Sequence, residues 1–128
     1  MDLDCRHSLF ARGNEFLGTT YPIMGGAMTW LSERNLVSAI SNAGGFGIIA
    51  CGSMQSEQLG EEIEATQKMT NKPFGVNLIL LHPDIDDLIE CCVSKKVELV
   101  VFAGGFPKKR QIELLKSRGI KTMCFATT

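Results

Sequence analysis

No stretch of this chain approaches the roughly 20 consecutive apolar residues that a membrane-spanning helix needs. No sign of charge dominates either: 13 lysines and arginines stand against 14 aspartates and glutamates, for a formal net charge of −1. A nucleic-acid surface is therefore not expected, and the short run Lys108-Lys109-Arg110 reads as the start of a solvated helix. Histidine is scarce, with His7 and His82 the two in the chain. The five cysteines, Cys5, Cys51, Cys91, Cys92 and Cys124, fall in no zinc-ligand spacing. Cys91 and Cys92 are neighbours, and a bridge between them would be strained. Arg12, Asn14 and Glu15 interrupt the first apolar stretch, so no secretory signal is read there. Together these absences point to a reducing cytoplasm, with neither membrane nor nucleic acid as a partner.

What the chain does have is enough apolar substance for one domain: 128 residues, 45% of them apolar, within the ordinary size of a single core. Apolar runs of β type recur as "YPIMGGAM" (21–28), "FGIIACG" (46–52), "FGVNLILL" (74–81), "VELVVFAGG" (97–105) and "IKTMCFATT" (120–128). Between them the apolar period changes to that of helices. Leu36, Val37, Ile40 and Ala43 form one stripe. Leu59, Ile63 and Met69 form a second, with Glu61, Glu62 and Glu64 expected outside. Ile85, Leu88, Ile89, Cys92 and Val93 form a third, and Ile112 and Leu115 a fourth. Ser32, Ser56 and Asp84 are placed to cap helix starts, while Gly44-Gly45, Lys95-Lys96 and Arg118-Gly119 are placed to end them.

The predicted order is β-α-β-α-β-α-β-α-β. Strands apolar on both faces are what helices packed on a parallel sheet require. Run starts recur about every 25 residues, near the ~30 residues per unit of an eightfold β/α barrel. The expected fold is α/β: five parallel strands and four helices making about half of a TIM barrel over residues 19–128, after a lead-in over residues 1–18.

The four glycines of "SNAGGFGIIACG" (41–52) test a dinucleotide-binding alternative. A phosphate-binding fingerprint places its glycines after a strand and before a helix. Here Gly44, Gly45 and Gly47 follow a helix and precede a strand, so they read as a helix stop and a tight turn. The glycines at the other ends of the strands differ. Gly25-Gly26, Gly52 and Gly104-Gly105 sit at carboxyl ends, where α/β folds bind ligands. A missing side chain there lets a flat ligand approach the backbone. Asn77 is the odd residue of its run: an amide inside an apolar strand needs a partner, either within the barrel or on a ligand.

"YPIMGGAMTW", "AISNAGGFGIIACGSM" and "TNKPFGVNLILL" resemble the nitronate monooxygenase family, from about residue 16 to residue 128. FMN-dependent enoyl-acyl-carrier-protein reductases share that superfamily. The resemblance implies a TIM barrel holding FMN at the carboxyl ends of its strands. It also implies oxidation of alkyl nitronates with O2 to carbonyl compounds and nitrite or, in the reductases, hydride transfer from NAD(P)H through FMN to an enoyl thioester. By the same resemblance, Gly26, Ala27 and Met28 fall on positions that pack and hydrogen-bond against the flavin ring. Asn77 falls on an FMN-contacting asparagine, and Gly104 on a ligand-facing turn. Gly26-Ala27 with Trp30 resembles the reductase pattern more than the monooxygenase one.

The family's catalytic histidine belongs to a motif of the type E-G-x-E-A-G-G-H, which these 128 residues do not contain. The glycine turns that grip the FMN phosphate also belong to the family's second half, so no catalytic residue is assigned. His82 reads as a solvated loop residue and Cys51 as a buried, inert thiol. Five strands cannot close an eightfold barrel, so open edges and an interior facing water are expected, favouring self-association. The small-molecule substrate is expected to belong to the longer parent, and this half alone is expected to be inactive.

Overall fold

The computed structural model describes residues 3–126, with side chains from residue 9 onward. Its elements are α1 (Leu3–Leu17), α2 (Arg34–Asn42), β1 (Gly47–Ala50), α3 (Ser56–Met69), β2 (Phe74–Ile79), α4 (Ile85–Ser94), β3 (Leu99–Ala103), α5 (Lys109–Ser117) and β4 (Lys121–Cys124). The strands form one parallel sheet in the order β1-β2-β3-β4. The α/β class and the parallel sheet agree with the sequence reading. No helix among the described residues is long and apolar enough to cross a membrane.

Two counts differ. Four strands form where five were expected, because residues 21–28 make a single parallel bridge, Met24 to Phe46. Gly25 N–H donates to the Phe46 carbonyl and Phe46 N–H to the Ile23 carbonyl, each at 2.8 Å. Pro22 has no N–H to extend this ladder, and beyond Gly25 the segment makes no further bridge among the described residues. There are five helices rather than four, since the lead-in forms α1. The last two residues of the run 120–128, and the His7 and Cys5 side chains, lie outside what the structure describes.

The strands alternate between two faces. Ile49, Val76, Leu78, Val100 and Phe102 point to the helices and join Val37, Leu59, Ile63, Leu88, Ile89 and Leu115 in the main core. Ile48, Leu99 and Val101 point to the concave side, where they cluster with Phe46 and Leu17 of α1. The interior was expected to face water, yet these five residues are buried. Leu17 covers the floor of the sheet, and Met24 and Met123 pack on the same cluster.

The caps and buried faces differ from the sequence reading in several places. The cap of α2 is Glu33, whose carboxylate accepts the N–H groups of Asn35 and Leu36, leaving Ser32 for other bonds. Gln55 rather than Ser56 precedes α3, and its N–H donates to Gln58 Oε1 at 3.0 Å. Asp84 stands at the cap of α4 without a side-chain bond to it. The buried face of α2 is Val37, Ser38 and Ser41, with Ala43 exposed. Ser41 tolerates burial because its hydroxyl donates to the Pro73 carbonyl at 2.9 Å and accepts Gly47 N–H at 3.2 Å. Glu62, expected outside, is buried against Arg34, with Nη2 to Oε2 at 2.5 Å.

Candidate ligand cavity at the strand ends

A cavity of about 390 Å³ opens on the concave face, lined by Met24, Gly26, Ala27, Ile48, Asn77, Ile79, Val101, Ala103, Met123 and Phe125. The size falls within the roughly 300–1,000 Å³ of small-molecule sites. Its floor follows from strand register: Asn77 pairs with Val101, and Val101 with Met123, so one inward-facing row crosses three strands. Gly26 and Ala27 close one side from the segment that leaves the Met24–Phe46 bridge. Phe125, just past β4, stands at the other side. Among the described residues, no ionisable side chain lines the cavity. A larger open groove of about 600 Å³ runs between α3 and α4 and includes no strand residue.

Asn77 is the polar exception on this floor, and it is buried. Its Nδ2 donates to the Val101 carbonyl at 3.1 Å. Its Oδ1 accepts no hydrogen bond among the described residues, so it has acceptor capacity left over. The structure thus gives the amide the partner within the sheet that the sequence allowed.

The glycines sort by physical cause. Gly26 lines the cavity, and a Cβ there meets nothing within 4 Å. Gly104 does not line it. Its φ of +77° demands glycine for backbone reasons, which explains that residue without a ligand. Met28 likewise lies outside the lining and is about half exposed. The structure thus brings together Gly26, Ala27 and Asn77, and leaves Met28 and Gly104 apart.

His82 accepts Asp84 N–H at Nδ1, 3.1 Å away, and is not part of the cavity. Cys51 points to the helix side in the main core, where its Sγ donates to the Asn77 carbonyl at 3.0 Å. Burial, reinforced by the nearby Cys91, pushes its thiol up to about 12, so it is protonated and inert at neutral pH. The apolar lining residues Ile48, Val101 and Met123 were not singled out from sequence. Their signal was alternation along each run, which identifies inward positions only once the register between strands is known.

A family model described as nitronate monooxygenase matches residues 11–128. A dehydrogenase of Mycobacterium tuberculosis, named for (3aS,4S,5R,7aS)-5-hydroxy-7a-methyl-1-oxo-octahydro-1H-indene-4-carboxyl-CoA, is 36% identical over 82% of this chain and 29% of its own length. A probable nitronate monooxygenase of Staphylococcus saprophyticus is 30% identical over 94% of this chain and 44% of its own. The solved structure of FabK from Thermotoga maritima superposes with a TM-score of 0.88 at 38% identity, covering 91% of this chain and 37% of that one. The chain therefore spans less than half the length of each of these relatives.

Proposed function

The chain belongs to the nitronate monooxygenase family, and on that premise we propose that its concave cavity is the flavin-ring wall of an FMN-dependent oxidoreductase acting on alkyl nitronates. The observation that carries this reading is the pairing of Gly26 and Ala27 with the free Asn77 Oδ1 around one uncharged cavity. A flat ring needs an approach with no side chain in the way, and a Cβ at Gly26 would meet nothing within 4 Å. It needs an apolar floor, supplied by Ile48, Val101 and Met123. It also needs a protein acceptor for a ring N–H, which Asn77 offers. These residues fit the group. Bound FMN supplies the electron-transfer capacity by which the family oxidises nitronates with O2 to carbonyl compounds and nitrite.

The protein's own contribution in this half is binding, orientation and exclusion of water. The family's histidine motif is not among these 128 residues, and among the described residues no ionisable side chain lines the cavity. The 128-residue chain is accordingly expected to bind the ring without turning over substrate.

A second reading, an enoyl-thioester reductase using FMN, is supported by the 38% identity to FabK and by a relative named for a carboxyl-CoA compound. Nitrite release from a nitronate, set against NADH consumption with a crotonyl thioester, separates the two in a protein carrying this segment together with the histidine motif.

The flavin reading is tested by fluorescence titration of the chain with FMN and with riboflavin, which has the ring but no phosphate. Both are expected to bind, with affinities within about threefold of each other, a difference under ~1 kcal/mol, since recognition here is of the ring. Absence of saturable binding by either compound overturns it.

A further inference from the structure

Ser32 was read from sequence as a helix cap, but Glu33 performs that task for α2, and the buried Ser32 hydroxyl is engaged elsewhere. Ser32 Oγ accepts the N–H of Met28 at 2.9 Å and donates to the carbonyl of Gly26 at 3.1 Å. It thus clasps the two residues that flank Ala27. The backbone of Ser32 reinforces the arrangement: its N–H donates to the Met28 carbonyl at 2.8 Å, and its carbonyl accepts Ala50 N–H, at the end of β1, at 3.0 Å. Leu31 N–H also donates to the Met28 carbonyl, at 3.0 Å. The turn that makes this possible holds Trp30 at φ +69°, a conformation a bulky residue adopts only when its surroundings fix it.

The consequence falls on Ala27. The neighbouring polar groups, Gly26 C=O and Met28 N–H, are consumed by the serine. The N–H and C=O of Ala27 itself make no hydrogen bond among the described residues, while Ala27 lines the cavity. A single hydroxyl, anchored to the end of a core strand, therefore fixes a segment whose central backbone groups are left for a guest.

We propose that Ser32 is the positioning residue of the cavity wall: its hydroxyl clasp on Gly26 and Met28 sets Ala27 for bonding to the ligand ring. The inference rests on the reading of the cavity as a flavin site, and Ser32 itself need not touch the ring. Removing the hydroxyl frees the segment and leaves two backbone groups to find other partners. Replacing it by threonine keeps the donor and acceptor. A packing role alone would be served by alanine nearly as well as by threonine.

The test compares the unsubstituted chain with Ser32→Ala and Ser32→Thr. Three quantities are read: amide hydrogen exchange of Met28, affinity for riboflavin and FMN, and the visible absorption band of the bound flavin. In Ser32→Ala, Met28 exchange is expected to quicken and flavin affinity to fall by about tenfold, the loss of one useful hydrogen bond. The bound flavin's band is expected to move toward that of free flavin. Ser32→Thr is expected to restore all three. A Ser32→Ala variant whose Met28 exchange and flavin affinity both stay within about twofold of the unsubstituted chain, below half a kcal/mol, overturns the inference. So does a threonine variant that behaves like alanine while melting at the unsubstituted temperature. If the unsubstituted chain binds neither flavin, the site reading fails and the ligand role of Ser32 fails with it. Met28 exchange then shows separately whether the clasp exists.

Discussion

The side-chain amide of Asn77 donates to the carbonyl of Val101 at 3.1 Å, and the two residues are register partners on adjacent parallel strands. A side chain thus ties itself sideways to the next strand, which fixes the amide plane and leaves Oδ1 facing away from its only observed partner. Asn77→Leu should therefore separate two roles. Stability should fall by about 1 kcal/mol, the net worth of one hydrogen bond. Flavin affinity should fall at least tenfold, about 1.4 kcal/mol. Chemical denaturation and flavin titration of the same variant check both.

Gly26 and Gly47 give a contrast in which one type of change has opposite consequences. A Cβ on Gly47 would sit 2.4 Å from the Val37 carbonyl oxygen, while one on Gly26 meets nothing within 4 Å. Gly47→Ala should cost roughly 1–3 kcal/mol or more by forcing α2 off β1. Gly26→Ala should leave stability within about 0.5 kcal/mol but weaken flavin binding, because the methyl occupies cavity space. Thermal melts with and without flavin measure the difference.

Glu62 sets an acid limit on the fold. Burial raises its carboxyl, but hydrogen bonds from the Arg34 side chain and backbone, together with the Arg34 charge, outweigh that and hold it below the usual carboxylate value. A carboxyl depressed in the folded state contributes stability that is whole above its unfolded pKa, about 4.3. That contribution is lost as pH falls through the lower folded value. Melting temperature should therefore decline below about pH 4.3, and the decline should be shallower in Glu62→Gln, which starts from a lower neutral-pH stability. Superimposable profiles for the two proteins would contradict the assignment.

The thiols should react in order of exposure. Cys124 is exposed, whereas Cys51 and Cys92 are buried, and burial pushes both buried thiols up. Alkylation at pH 8 followed by peptide mass mapping should mark Cys124 promptly, and Cys51 and Cys92 only after unfolding. Labelling of Cys51 in the folded chain would show that the helix-side core opens.

How far the sequence could be read depends on the range of the interaction concerned. The run FGVNLILL became β2 and the stripe Leu88, Ile89, Cys92 became the buried face of α4, because each pattern is local. The glycine stop after α2 was legible for the same reason, with Gly44 at φ +92°. What failed was non-local. Glu62 looked solvated beside Glu61 and Glu64, yet its partner Arg34 lies 28 residues earlier. The segment 21–28 has strand composition, but a strand is defined by its ladder, and beyond Met24 this one has none. Ser32 had a cap's spacing, and only the position of Glu33 revealed that its hydroxyl was free for Gly26 and Met28. At the site, Gly26 and Asn77 were legible from strand-end position and polarity, Ala27 came from family resemblance, and Ile48, Val101 and Met123 required the register.

The most direct test of the central claim is to map flavin onto the chain by NMR, following backbone and Asn77 side-chain amide shifts during riboflavin addition. The account predicts saturable changes at Gly26, Ala27, Asn77 and Val101, with the Asn77 Nδ2 resonances among the largest. Changes confined to the groove around Gly60 and Cys91, or no changes at all, would contradict it.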